Sequence, residues 1–138
     1  MNSYDFNMFD IGTKASFDVL ITDDMMEKFL AICGDKNPMH MDDQYAKDKG
    51  FKSRLVYGML TASMYSTLAG MYLPGEKCIL KSVEIFFQNP VYIGDKLNIK
   101  GTVKEKDERF QQATIKAKIV NQNGKTVSKA TILVGFYE

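Results

Sequence analysis

The sequence of 138 residues has few of the side chains that hold metals or disulfides. It contains one histidine, two cysteines and no tryptophan. Cys33 and Cys78 are too few for a disulfide framework and lack the spacing of metal ligands, and one histidine leaves little for a transition-metal site. We therefore expect neither a disulfide-rich nor a metal-bound protein, and this cysteine content suits the reducing cytoplasm.

Neither sign of charge dominates the chain. Its 18 basic and 17 acidic side chains leave a formal net charge of +1, so no overall field favours nucleic acid or an anionic membrane as a partner. Residues 1–6 carry neither a basic segment nor a long apolar stretch, which is against a secretory signal. We expect a cytoplasmic protein whose function comes from a local site.

Charge is absent altogether from residues 55–75. Apolar side chains recur there at helical spacing, namely Leu60, Met64, Leu68 and Met71. A membrane span needs roughly 20 mostly apolar residues. This segment instead carries four serine and threonine side chains before Leu73-Pro74-Gly75 ends it. The pattern therefore predicts a buried central helix.

Elsewhere, apolar residues alternate with polar ones, which is typical of half-buried strands. The alternating rows are Phe17, Val19 and Ile21; Ile79, Val83, Ile85 and Phe87, interrupted at Lys81; Leu97, Ile99 and Val103; Ala113, Ile115, Ala117 and Ile119; and Ala130, Ile132, Val134 and Phe136. Residues 121–124, with the sequence Asn-Gln-Asn-Gly, supply a hairpin turn between the last two rows.

Two shorter helices are expected between the first strand and the central helix. Asp24 followed by Glu27 resembles a capping box, which would start a helix reaching about Cys33, and residues 43–49 form a short polar helix. The only element apolar enough to cover one face of an antiparallel sheet is the helix over residues 58–73. We therefore predict one α+β domain over residues 1–138, in which a five-stranded antiparallel sheet wraps a central apolar helix.

The single histidine, His40, ends the run Gly-Asp-Lys-Asn-Pro-Met-His over residues 34–40. Asp35 precedes it by five positions, across the turn-forming pair Asn37-Pro38. A turn that presents a carboxylate and an imidazole to one spot can hold a single water or substrate proton, as general acid–base chemistry requires. The same residues also make an ordinary turn between helices, with Asp and Asn bonding to local backbone. Spacing alone leaves both interpretations open.

A longer set of motifs in fixed order resembles one family. The matching residues are Phe29, Ile32–Asp35, Asn37-Pro38, His40, Ala46, Gly58–Leu60, Ser66, Leu73–Gly75, Phe87–Val91 and Gly94-Asp95. In these positions the chain resembles the MaoC-like (R)-specific enoyl-CoA hydratases, a family with the hot-dog fold. The resemblance covers most of the chain and is far more specific for the family than for the substrate.

The resemblance implies a role for several residues. Asp35 and His40 would be the catalytic pair, and the backbone N–H of Gly58, at the start of the central helix, would be the oxyanion donor. Ser66 occupies the position that supports the catalytic carboxylate, and a little over two helical turns separate it from Gly58. Its hydroxyl can equally bond to a carbonyl of the preceding turn. Asn37 is expected to shape the turn.

Two positions depart from the family pattern. Met39 stands where Leu, Ile or Val is usual, which conserves volume. Tyr57 stands where the family often has His, and its phenol is expected either to meet the substrate or to pack at the helix entrance. Met59 is expected to line an acyl tunnel beside the central helix. Such a lining favours short to medium acyl chains.

The activity that the resemblance implies is reversible syn addition of water to a trans-2-enoyl thioester, giving an (R)-3-hydroxyacyl thioester. Coenzyme A or a carrier-protein phosphopantetheine would be substrate, and no metal or organic cofactor is required. The resemblance also implies a homodimer, or a higher homo-oligomer, whose sheets join edge to edge. Lys47, Lys49, Lys52 and Arg54 are either contacts for the coenzyme phosphates or a solvated face.

Two alternatives belong to other functional classes. A non-catalytic acyl-thioester-binding protein would keep the fold without turnover, but the intact Asp35 and His40 are against it. A hot-dog acyl-CoA thioesterase would cleave the thioester with a carboxylate-activated water. Such thioesterases generally lack the Asp-x-Asn-Pro-x-His turn found here.

Overall fold

A computed structural model describes residues 1–137. The elements in chain order are a short 3-10 turn Phe6–Met8, β1 Lys14–Leu20, α1 Asp23–Cys33, α2 Pro38–Met41, α3 Asp43–Asp48, α4 Gly58–Thr67 with a π-helical turn Leu68–Tyr72, β2 Cys78–Phe87, β3 Lys96–Asp107, β4 Gln112–Val120 and β5 Thr126–Phe136. The predicted order of one strand, then helices, then four strands is confirmed.

All five strands form one antiparallel sheet in the order β1-β3-β4-β5-β2. The predicted rows of β3, β4 and β5 turn one side to the core, and their most deeply buried members are Leu97, Ile99, Val103, Ile115, Ile119, Ile132 and Val134. β1 and β2 are the two edges of the sheet. The hairpin between β4 and β5 is closed by Asn121, whose side chain accepts from the amides of Asn123 and Lys125.

The central helix α4 and its π-helical turn fill the inner side of the sheet. Leu60, Tyr65 and Leu68 are buried there. The approach to the sheet is close, because a Cβ atom at Gly101 in β3 would lie 2.8 Å from the Leu68 side chain. The sheet therefore wraps the helix, as predicted. No helix within residues 1–137 is both long and apolar enough to span a membrane.

The predicted capping box at the start of α1 is wrong. Thr22 is the N-cap, with an extended backbone, and its side chain accepts from the Met25 amide at 3.2 Å. Asp24 lies inside the first turn instead, where its charge and that of Asp23 face the positive end of the helix dipole. The cap falls on Thr22 because β1 ends at Leu20 and leaves room for only a two-residue connection.

The interruption at Lys81 is a local irregularity in β2. The pairing of β2 with β5 shifts register between Leu80 and Ser82, so one extra residue is accommodated and the strand continues. Gly34, at φ 71°, ends α1 in the left-handed conformation and starts the turn to α2. This turn and the N-terminus of α4 meet at one place, which is the candidate site.

Candidate active site

The turn over residues 34–37 is organised by its own side chains. The carboxylate of Asp35 accepts from the Asn37 amide at 3.0 Å. The Asn37 side chain in turn accepts from the Met39 amide at 2.9 Å and so caps α2, which begins at Pro38. Asn37 thus faces the backbone of the turn, and α2 is started at a fixed angle to α1.

His40 lies on α2 with its two ring nitrogens in different environments. Nδ1 is 2.8 Å from the carbonyl oxygen of Leu55. Because a carbonyl oxygen only accepts hydrogen bonds, Nδ1 carries the proton and Nε2 is the nitrogen left for proton transfer. Nε2 lies 3.8 Å from Oδ2 of Asp35. The carboxylate side chain is 48% exposed and the imidazole 19%, so a largely covered imidazole faces a carboxylate that solvent reaches.

The N-terminus of α4 presents unpaired amides beside this pair. Its N-cap, Tyr57, gives no side-chain cap. The amides of Leu60 and Thr61 bond to the Tyr57 carbonyl, whereas those of Gly58 and Met59 donate to no other group of residues 1–137. With the helix dipole behind them, these amides favour a developing negative charge.

A cavity of about 330 Å³ joins the histidine to the helix N-terminus. Its lining residues are His40, Phe51, Leu55, Val56, Gly58, Thr61, Phe87, Gln88, Asn89, Pro90, Val91 and Val127. Asp35 reaches this lining through its contact with His40. Most of the wall is apolar, with a few polar groups at one end, as in a site for an acyl chain with one reactive head.

Sequence reasoning missed Thr61 and Phe87 as parts of the wall. Thr61 is buried and donates from Oγ1 to the Gly58 carbonyl at 2.7 Å. The Phe87 ring packs so close to Gly58 that a Cβ atom there would lie 3.2 Å from it. Phe87 belongs to a matching motif, which was the available signal. Thr61 gave no signal, since its spacing is that of any helical residue.

Two predicted site residues, Met59 and Ser66, lie away from the candidate pair, and a third, Tyr57, contacts it. Met59 is 62% exposed and does not border the cavity. Ser66 is exposed, and its hydroxyl bonds neither to the pair nor to the preceding helical turn within residues 1–137. Tyr57 is 3% exposed and donates its hydroxyl to the Asp35 carbonyl at 2.7 Å. Roles for these residues in binding substrate or supporting the carboxylate stay predictions.

Three of the basic residues expected near the mouth of the site, Arg54, Lys49 and Lys52, contact other side chains of the protein. Arg54 pairs with Asp23 of α1 and donates to the His40 carbonyl at 3.4 Å. Its backbone amide donates to the Asp43 carboxylate at 3.0 Å. Arg54 therefore ties α1 to α2 and helps to hold His40. Lys49 and Lys52 lie over the tyrosine rings of residues 45 and 92. Within residues 1–137 no three His, Cys, Asp or Glu side chains gather as a metal site would require.

A second, larger concavity of about 890 Å³ lies on the outer face of the sheet. Its charged lining residues are Lys14, Glu84, Lys100, Lys116, Lys118 and Lys129. None of the residues around His40 borders it. Of these two concavities, the smaller one brings His40 together with the unpaired amides of α4, so it is the candidate active site.

Fold and site together define a hot-dog domain that carries an acid–base pair at the N-terminus of its central helix. The chain belongs to the MaoC-like domain family, whose sequence profile matches residues 8–125.

Similar proteins include an (R)-specific enoyl-CoA hydratase from Aeromonas caviae, 32% identical over 83% of this chain and 86% of that protein. A mitochondrial 3-hydroxyacyl-[acyl-carrier-protein] dehydratase from Arabidopsis thaliana is 36% identical over 52% of this chain and 42% of its own. Among solved structures, an unliganded R-hydratase from Pseudomonas aeruginosa superposes with a TM-score of 0.89 and 30% identity, covering 97% of this chain and 86% of that one.

The Leu55 contact predicts the tautomer of His40. In the neutral ring, the proton should reside on Nδ1, because the carbonyl 2.8 Å away stabilises it there. Nitrogen-15 NMR of histidine-labelled protein at alkaline pH measures this directly, and one histidine makes the assignment unambiguous. A ring protonated mainly on Nε2 would contradict this geometry.

Proposed function

We propose that this protein is an (R)-specific hydratase and dehydratase that interconverts trans-2-enoyl thioesters and (R)-3-hydroxyacyl thioesters of coenzyme A or an acyl carrier. The observation that carries the proposal is the Asp35–His40 pair in contact at 3.8 Å beside the unpaired Gly58 amide. The names of the relatives, an enoyl-CoA hydratase and a carrier-protein dehydratase, support both thioester classes.

In the proposed reaction, the Gly58 amide donates to the thioester carbonyl. As water adds, the carbonyl oxygen gains enolate character, and a fixed N–H at a helix N-terminus stabilises that charge without reorganising. The apolar wall formed by Val56, Val91 and Val127 would hold the acyl chain with C2 and C3 towards the pair. The same contacts serve dehydration, because the two directions share one transition state.

The Asp35–His40 pair would hold the attacking water. It starts the cycle with one exchangeable proton; one member accepts a proton from water as the oxygen bonds to C3, and the other delivers a proton to C2. The pair thus ends each turnover with the proton count it began with. On the histidine, the exchanging atom would be Nε2, since Nδ1 is engaged with Leu55.

We also propose that two copies of the chain form the active unit. The edge strand β2 leaves large apolar side chains exposed, namely Ile79, Leu80, Phe86 and Phe87. Beside it, Met59, Ser63 and Ser66 form one exposed stripe along α4, spaced four and three residues apart. An unpaired strand with apolar flanks favours antiparallel pairing with its own copy. Such pairing would bring Ser66 and Met59 into an interface beside the cavity.

A cytoplasmic location is part of the same proposal. Cys33 and Cys78 are both free thiols, one exposed and one partly buried. Free thiols of this kind persist in a reducing compartment.

The first test removes the catalytic pair. Asp35→Asn and His40→Ala should each lower kcat/KM for an enoyl-CoA by ~10²–10⁴-fold, because each removes an acid–base group. The double variant should be little worse than the worse single one, since the two groups act as one unit. Loss of the enoyl-thioester absorbance measures the rate, and circular dichroism checks the fold. Near-normal turnover in either variant would rule out the pair.

The second test isolates the Gly58 amide. Gly58→Pro removes the N–H at a first helical position, which accepts proline, and Tyr57 already has the extended backbone (φ −56°, ψ 124°) that precedes proline. Gly58→Ala is the matched control, because it adds the same Cβ crowding against Phe87 but keeps the N–H. We expect the proline variant to lose ~10²–10³-fold in kcat relative to the alanine variant. Equal rates would exclude this amide as the oxyanion donor.

The third test concerns assembly. Multi-angle light scattering should give the mass of a dimer at micromolar concentration. Phe86→Glu places a charge on the exposed β2 edge and should shift the protein towards monomer, whereas Phe110→Glu should not. The control is matched, because Phe86 is 62% exposed and Phe110, in the loop between β3 and β4, is 60% exposed. A stable and active wild-type monomer would contradict the proposed dimer.

A further inference from the structure

The turn that carries Asp35 makes few hydrogen bonds to distant parts of the chain. All four residues 34–37 are exposed, and their backbone bonds are local to the turn and its flanking helices. Within residues 1–137, one hydrogen bond reaches the turn from a distant element, and it comes from the Tyr57 hydroxyl to the Asp35 carbonyl at 2.7 Å. From outside the turn, a single side chain therefore holds the backbone that carries the carboxylate.

The same tyrosine also contacts the other member of the pair. Its ring lies on the His40 imidazole, with centroids 4.3 Å apart and planes at 32°. Phe29 of α1 packs against Tyr57 in turn, at 5.1 Å. Tyr57 is thus enclosed between the two rings and 3% exposed, so it has little freedom to move.

Chain position links these contacts to the helix N-terminus. Tyr57 is the N-cap of α4 and immediately precedes Gly58. Tyr57 therefore connects three parts of the site: the unpaired amide of Gly58, the backbone of Asp35 and the imidazole ring of His40. A rigid link of this kind matters, because acid–base groups lose rate when they drift by even about 1 Å from the reacting geometry.

We propose that Tyr57 is a positioning residue of the Asp35–His40 pair, which its hydroxyl holds through the Asp35 carbonyl and its ring holds through the imidazole. The inference rests on the proposed hydratase function and assigns Tyr57 a task other than substrate contact. Hydroxyl and ring have separable tasks. The hydroxyl fixes the distance of the carboxylate from Nε2, and the ring keeps Nδ1 on the Leu55 carbonyl.

The hydroxyl is suited to act as a permanent donor. Burial raises the pKa of Tyr57 above its usual value, and the nearby Cys33 and Asp35 raise it further, against a smaller opposing effect of Arg54. A tyrosine with a raised pKa stays protonated through neutral and moderately alkaline pH. The bond to the Asp35 carbonyl therefore persists over the range in which the pair works.

The main experiment compares two tyrosines. Tyr57→Phe removes the hydroxyl and keeps the ring, and it should lower kcat by ~10-fold while KM stays within about twofold. Tyr65→Phe is the control, because Tyr65 is also a buried tyrosine (1% exposed, against 3% for Tyr57) whose hydroxyl bonds to Ser128 at 2.8 Å and which does not line the cavity. The control should lose stability and keep its kcat. Equal kcat values in the two variants would overturn the proposal.

A double-variant cycle shows whether the hydroxyl acts through the carboxylate. In an Asp35→Asn background, Tyr57→Phe should have almost no further effect on the residual rate, since there is no longer a carboxylate to position. A full additional ~10-fold loss in that background would overturn the proposal. A large rise in KM with kcat unchanged would do the same, because it would mark Tyr57 as a substrate contact.

Site-specific fluorination covers the case in which Tyr57→Phe does not fold. A difluorotyrosine at residue 57 keeps the size of the ring but ionises at lower pH, so the donor is lost as pH rises. Its kcat should fall at alkaline pH values at which the wild type is still active and recover on return to lower pH. An unchanged pH profile would overturn the proposal.

NMR of His40 separates this inference from the proposed function. In Tyr57→Leu the ring support is gone, and the imidazole should lose its preference for the Nδ1-protonated tautomer. Tyr65→Leu should leave that preference intact. The tautomer can be measured without turnover. If the wild-type protein were inactive, the hydratase proposal would fail, but the NMR experiment would still test the contact between Tyr57 and His40. An unaltered tautomer in Tyr57→Leu would overturn the role of the ring.

Discussion

Burial of α4 inside the sheet is the constraint on which the rest of the structure depends. The helix has no charged side chain and no broad polar face, so it reaches low free energy only when apolar strands surround it. Gly101 lets the Leu68 turn approach the sheet more closely than any other residue at that position would allow. Enclosure of the helix body leaves its N-terminus at the rim of the sheet. The unpaired amides of α4 therefore lie at this rim because the rest of the helix fills the core.

The Asp35–His40 pair is held at this rim by short-range contacts. Asn37 starts α2 at a defined angle, Arg54 joins that helix to α1, and the Leu55 carbonyl selects one imidazole nitrogen. Most of these contacts use backbone atoms. The geometry of the candidate site therefore depends on the path of the chain as much as on the side chains of Asp35 and His40.

Much of the fold could be predicted because its periodicities are strong. Alternation of apolar and polar residues predicts the strands β3, β4 and β5, and the absence of charge predicts a buried helix. The apolar face of the sheet must be covered, and this helix is the element that can cover it. The Asp35–His40 contact was predictable because the turn that carries Asp35 leads directly into α2, which carries His40. Thr22 was missed as a cap, since Asp24 and Glu27 match the capping-box pattern, whereas Thr22 is followed three residues later by Met25.

Other parts of the site left no trace in the sequence. The Tyr57 hydroxyl bonds to a backbone carbonyl, and every residue has one, so no pattern identifies the partner. Thr61 and Ser66 are both hydroxyl residues of one helix, yet one is buried and the other exposed. On a helix that is apolar nearly all round, periodicity does not separate the faces. That separation depends on tertiary packing.

Lysines on the outer face of the sheet link its stability to the ionic strength of the solution. Lys118 of β4 lies directly opposite Lys100 of β3 on one side and Lys129 of β5 on the other. Like charges in such cross-strand positions repel one another, and the hydrogen bonds of the strands hold them together nevertheless. Mobile anions weaken this repulsion within a Debye length of about 8–10 Å at ordinary ionic strength. We therefore expect the sheet that encloses α4 to be more stable in salt than in pure water.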